Sequence, residues 1–150
     1  MKTIYKFSVA VWLILLCVSA CKKDDQRIIY EGGTAPQLSV AAGSQVKYAD
    51  TGQTAVSLAW TNPNYQFNTG VSSLDVSYNL QIDTASDFSS KNRKVISVSK
   101  DLQYSFLVED LNDIMLNQLM LDTNVTYTLY MRVVSNLTNN SAQLVSNTVQ

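Results

Sequence analysis

An all-β sandwich with one short helix is the fold class predicted by this 150-residue sequence, and three observations carry it. Short segments alternate apolar and polar side chains with a period of two. Clusters of Asn, Asp, Ser and Gly separate them at close intervals. One stretch, between Val108 and Val125, changes instead to helical spacing. With hydrophobic residues at 46% and charged residues at 15%, the composition is that of a packed unit and not of a solvated tail.

The first element does not belong to the sandwich. Lys2 and Lys6 precede an apolar run from Val9 to Val18 that closes in small residues, the layout of a signal peptide over residues 1–20. A membrane-spanning helix takes about 20 apolar residues, and this run is roughly half that before the charges begin. The segment ends in Val18-Ser19-Ala20-Cys21, which resembles the bacterial lipobox. That resemblance implies cleavage before Cys21 and its lipidation, with outer-membrane lipid as a partner held through Cys21. Two or three acyl chains anchor a protein stably, at about 0.8 kcal/mol per buried CH₂.

Lys22, Lys23, Asp24 and Asp25 follow directly. Such a run is ordinarily a solvated tether. It also resembles the lysine-then-acid surface-export signal behind the acylated cysteine of Bacteroidetes lipoproteins, which implies the outer face of the outer membrane. Residues 21–35, charged and then carrying Gly32 and Gly33, have no periodicity and read as a lipidated flexible tether. The sandwich is expected over residues 36–150. Because Cys17 leaves with the signal and Cys21 is acylated, no disulfide supports the fold, and an apolar core has to hold it alone.

Within the sandwich, Thr54–Trp60 sets Val56, Leu58 and Trp60 on one face against Ser57 and Ala59. Asp75–Asp83 repeats the pattern with Val76, Tyr78, Leu80 and Ile82 inward. Further strands are expected at Lys94–Ser99, Gln103–Val108, Val125–Ser135 and Gln143–Val149, with weaker ones at Gln37–Val40 and Gln45–Tyr48. About seven strands in all make a sandwich. Leu111, Ile114, Met115 and Leu119 form the apolar stripe of the helix, which is expected to close one end of the core. Asp110 is its candidate N-cap, with Asp113 near the positive end of its dipole. On the strand that follows, Tyr130 and Arg132 point outward.

Three local patterns resemble an immunoglobulin-type sandwich of the fibronectin-III-like kind: Trp60 closing Val56-Ser57-Leu58-Ala59-Trp60, the strand Val76–Ile82, and Leu121 six residues before Tyr127, the spacing of a tyrosine corner between the E- and F-like strands. Read in order with Asn62-Pro63-Asn64-Tyr65-Gln66-Phe67-Asn68, Val108-Glu109-Asp110-Leu111-Asn112-Asp113 and the lipobox, residues 35–150 are similar to the N-terminal domain of the SusE family. The resemblance implies an outer-membrane lipoprotein of a polysaccharide-utilisation system such as that for starch, working beside a SusC/SusD-like transporter complex. It implies also that glycan contacts belong to later domains while this one acts as a spacer. Since the sequence stops at Gln150 within the expected last strand, it is either a fragment of a longer product or a short relative.

The chemistry of the side chains points the same way. No histidine is present, which removes Ser-His-Asp and Cys-His nucleophile activation and the usual zinc sites. Glu109 and Asp110 are neighbours at a helix start, a common place for acids, so no enzyme, metal or cofactor is expected. Asp83 and Asp87 flank a turn without the spacing of a calcium loop. Loss of Lys2 and Lys6 with the signal leaves nine of the 11 basic residues against 12 acidic ones, which gives nucleic acid no footprint. Polysaccharide is a possible ligand if Tyr65 and Phe67 stand exposed among the amides of their loop; alternatively these rings pack over the open end of the sandwich. Asp83-Thr84-Ala85 resembles a short O-glycosylation sequon and marks Thr84, whereas the formal N-linked sequons at Asn124, Asn136 and Asn139 follow from composition. An adhesion or scaffold lipoprotein without a glycan link is the remaining reading.

Overall fold

The computed structural model describes residues 27–43, 50–71, 76–137 and 142–150. The signal segment, Cys21, Lys22, Lys23, Asp24, Asp25, the weak strand Gln45–Tyr48 and Asn139 lie outside the described residues. Ten strands are present among those described: β1 (Tyr30–Gly32), β2 (Leu38–Gly43), β3 (Thr54–Trp60), β4 (Gln66–Phe67), β5 (Gly70–Val71), β6 (Val76–Asp83), β7 (Lys94–Ser99), β8 (Gln103–Leu107), β9 (Tyr130–Leu137) and β10 (Gln143–Val145). Helix α1 covers Val108–Asp113 and runs into a wider π turn over Ile114–Gln118.

Seven of these strands build the expected sandwich. The antiparallel sheet β2-β3-β8 faces the antiparallel sheet β10-β9-β6-β7, and the short β1, β4 and β5 form a third sheet at one end. The period-two reading of β3 and β6 places the core side chains correctly. Leu58, Trp60 and Phe106 from one sheet meet Tyr78, Leu80, Ile82, Val98, Met131 and Val133 from the other, all buried. Trp60 lies against Tyr78 across the interface, ring centroids 5.7 Å apart at 56°. Burying each such side chain contributes about 1.5–3 kcal/mol, which is what a core without disulfides has to rest on.

The helix closes the end of the core near Thr54, as its spacing implied. Ile114 and Leu119 are buried, with Leu111 and Met115 half-buried beside them. Its cap differs from expectation. Leu107, not Asp110, is the N-cap, and no side chain caps the first turn. The first two amides instead donate to carbonyls of the turn before β3, Val108 N to Gln53 O at 2.9 Å and Glu109 N to Thr51 O at 3.3 Å, so two of the helix's unpaired N–H groups are satisfied without an Asx side chain. Asp113 ends the α-helical stretch and accepts from Asn117 Nδ2 at 2.7 Å and Gln118 Nε2 at 3.3 Å, which hold its carboxyl below the usual range. Leu119 N bonds Ile114 O and Leu121 N bonds Met115 O, and Met120, at φ 57°, turns the chain out of the helix.

The next strand starts later than Val125. Tyr127 accepts the Asp122 N–H on its hydroxyl at 3.2 Å, which is the corner expected near Leu121. Residues 125–129 run along that corner outside the ladder, and β9 pairs with β6 from Tyr130↔Asp83 to Leu137↔Val76. The last strand is likewise shorter than expected. After Val145 the Ser146 hydroxyl takes the Val133 N–H at 2.9 Å in place of a carbonyl, and pairing resumes only at Met131↔Val149. Between these, Asn147 turns its amide to β2: Leu38 N donates to Asn147 Oδ1 at 2.8 Å and Asn147 Nδ2 donates to Leu38 O at 2.9 Å. This side chain supplies the pairing that an adjacent strand would give and occupies part of the β2 edge.

Candidate functional site

Two regions hold the residues singled out in the sequence, and the first is the end of the sandwich capped by the third sheet. Asn62 Oδ1 accepts the Asn64 N–H at 2.9 Å, and Asn64, at φ 45°, completes an Asx turn. That turn reverses Tyr65 into the molecule. Tyr65 is fully buried over Leu137 and Ala142, with Phe67, Val76 and Leu144 packed beside them. Its hydroxyl bonds Ser135 Oγ at 3.0 Å and the Ala142 carbonyl at 3.3 Å. Burial pushes the phenol above its usual range, partly offset by the Ser135 bond, so it stays neutral.

The segment read as tether folds onto the same loop from Arg27 onward. Asn68 clasps it from both sides: its Oδ1 accepts Ile29 N at 3.0 Å and its Nδ2 donates to Arg27 O at 2.8 Å, while Asn68 N donates to Ile29 O at 3.1 Å. Thr34 N bonds Pro63 O at 2.7 Å. Tyr30 pairs with Phe67, and its ring lies 5.8 Å from Phe67 and 6.0 Å from Tyr65. Gly33 permits the approach, because a Cβ there would stand 2.9 Å from Leu144 Cδ1 and 3.1 Å from both Pro63 O and Tyr65 Cδ1. Of the two rings that might have faced solvent, Tyr65 therefore has neither an open face nor a free hydroxyl, and Phe67 is half-buried under Tyr30.

The second region is the loop after β6. Asp83 is fully buried, yet its carboxyl sits below the ordinary value: burial pulls it upward, and this is outweighed by hydrogen bonds from Ser90, Ala85 and Thr84. Its Oδ1 accepts Ala85 N at 3.0 Å and its Oδ2 accepts Ser90 N at 3.1 Å, so both oxygens are spent on the loop's own backbone. Thr84 is half-buried at the strand end. Phe88 is buried at φ 59°, and its carbonyl accepts from the Arg93 guanidinium. Arg132, expected to point outward, stacks its guanidinium 4.0 Å above the Phe88 ring and donates from Nε to Gln81 Oε1 at 2.8 Å. It is half-buried and already engaged within the chain, as a link between β9 and this loop.

A family model described as SusE outer membrane protein matches residues 22–134. The chain belongs to the SusE family. It is accordingly a protein of the outer membrane, as the sequence implied. No curated protein matches it. Among solved structures, pectate lyase PelI from Erwinia chrysanthemi in complex with tetragalacturonic acid is similar at 18% identity and a TM-score of 0.43, over 77% of this chain and 28% of that one. The SusE-family chain thus spans 28% of that protein's length, and a likeness at this level carries no argument.

The structure brings Tyr65 and Phe67 together with Tyr65 inward, the packed one of the two arrangements the loop's sequence left open. Thr84 lies apart from them, across the length of β6. What sequence reasoning missed is the polar clasp work of Asn68, Asn147 and Ser146, each joined to backbone far along the chain. Asn62-Pro63-Asn64 did carry a usable signal, since an Asx turn there reverses the side-chain direction of the residue that follows. Among the described residues, no three His, Cys, Asp or Glu side chains are grouped as a metal would need.

Proposed function

We propose that this SusE-family chain is a non-catalytic spacer of a starch or other polysaccharide capture system, lipid-anchored through Cys21 and surface-exposed by its Lys22-Lys23-Asp24-Asp25 signal. The observation that carries the reading is the placement of residues 27–34 relative to Val149. Residues 27–34 bind the loop that packs over Leu137, at the last residue of β9, whereas Val149 pairs with Met131 near the first. Six strand residues, about 20 Å, separate the two positions. A chain that enters at one end of a sandwich and leaves at the other adds the domain's length to the distance from the lipid, as a spacer requires.

In this reading residues 1–20 are the signal peptide, and the SusC/SusD-like transporter complex works beside the protein. Sugar recognition rests elsewhere than on Tyr65, whose ring and hydroxyl are occupied. Thr84 O-glycosylation belongs to the same proposal; an intact mass without added hexoses would remove it. The decisive test replaces residues 27–150 in the cell with an unrelated sandwich of equal end-to-end length. Capture of polysaccharide is expected to persist, and its loss would reject the spacer role. Cys21→Ala is expected to move the protein out of the membrane fraction.

A further inference from the structure

We infer that the corner formed by Ile28, Ile29, Tyr30 and Val71 rests on the lipid surface beside the anchor, so that the domain stands on the bilayer with this end down. The inference rests on the lipid-anchor reading of Cys21 and deepens it. Tyr30 and Phe67 turn toward Tyr65, so the alternation of the paired backbone turns Ile29 and Val71 to the opposite face. There they are 57% and 60% exposed, while Ile28 and Tyr30, which alternate to the other side of the same edge segment, are still 68% and 41% exposed. Apolar side chains held open by so firm a set of backbone bonds are an interaction surface more than a loose end.

What covers them is indicated by the chain itself. Cys21 lies six residues before Arg27, and an extended chain spans at most about 3.6 Å per residue, so the clasped corner stays within roughly 20 Å of the acylated sulfur. At that distance the bilayer is present at high effective concentration, whatever else the surface meets. Two isoleucines, a valine and a tyrosine are the side chains that partition into the boundary between headgroups and acyl chains. Arg27 and Glu31, both exposed at the same corner, offset one another in charge, so the contact is apolar and independent of salt.

The experiment uses the acylated protein in phosphatidylcholine vesicles, some carrying a spin-labelled quencher lipid. Apart from Cys21 the processed chain has no thiol, so a single environment-sensitive dye is attached through Thr69→Cys, in the turn between β4 and β5, or through Thr123→Cys at the helix end. Expected is a blue shift and quenching at 69 and none at 123, unchanged by salt. The triple variant Ile28→Ser, Ile29→Ser, Val71→Ser is expected to abolish both signals while the protein still sediments with vesicles. Sedimentation without quenching at 69, equal quenching at 69 and 123, or a 69 signal that depends on protein concentration through self-association would overturn the inference and leave the anchor reading intact. Failure to sediment, with no acyl mass on Cys21, would instead remove the anchor reading.

Discussion

Tyr65 offers the sharpest separation of a packed ring from a sugar-stacking one, because the two roles respond to different truncations. Tyr65→Phe keeps the ring and removes only the hydroxyl. Ser135 Oγ retains its bond to Leu144 O and the Ala142 carbonyl retains Leu137 N, so no buried group is orphaned and the loss is that of one net hydrogen bond, about 1 kcal/mol. Tyr65→Ala empties a fully buried site between the third sheet and Leu137 and is expected to cost about 3–5 kcal/mol. With a urea m-value near 1.5 kcal/mol per molar, the midpoints fall by roughly 0.7 M and 2–3 M. Hydrogen exchange supplies an independent readout: the Thr34 amide, bonded to Pro63 O, is expected to lose protection in Tyr65→Ala and to keep it in Tyr65→Phe. A Tyr65→Ala protein within about 1 kcal/mol of the parent would refute the packing argument, since no solvent-exposed ring costs more.

Other perturbations probe the remaining supports. Asp83 has a folded pKa below its unfolded one, so its contribution is present above the unfolded value, about 3.9, and is lost as pH falls through the folded value; urea midpoints measured across acid pH should drop for the parent and run flatter for Asp83→Asn. Asn147→Ala removes both bonds to Leu38 and is expected to cost about 1–3 kcal/mol by urea titration, with faster exchange of the Leu38 amide. Trp60 Nε1 is buried with no acceptor among the described residues, so Trp60→Phe sheds an unsatisfied donor and should cost well under the about 3–5 kcal/mol expected for Trp60→Ala, as calorimetric melting of the two variants will show.

Alternation sustained over the longer strands was sufficient for the sandwich. β3 and β6 are half-buried strands whose alternation names Leu58, Trp60, Tyr78, Leu80 and Ile82 as core, and the helix stripe names Ile114 and Leu119. The Tyr127 corner was legible because it depends on local spacing. Residues 27–34 were not. β1 and β4 are too short to show a period, Gly32 and Gly33 interrupt what alternation there is, and the bonds that hold the segment come from Asn68 and Pro63. The late start of β9 had a related cause: Val125, Tyr127 and Leu129 continue the alternation in sequence, but the corner fixes that stretch before the ladder begins. Arg132 read as a surface cation because nothing local announces that Phe88, 44 positions away, will adopt a left-handed backbone and present its ring. At the candidate site the loop composition was compatible with sugar contact or with packing over the open end, and the direction of the Asn62–Asn64 turn sends Tyr65 to the packed position.

The spacer reading meets its most direct test in affinity electrophoresis of this chain, freed of its lipid by Cys21→Ser, through native gels containing starch or other polysaccharides. Mobility equal to that in plain gels is the expected result. Retardation by one polysaccharide, relieved by Phe67→Ala at unchanged stability, would contradict the account and assign sugar binding to this domain.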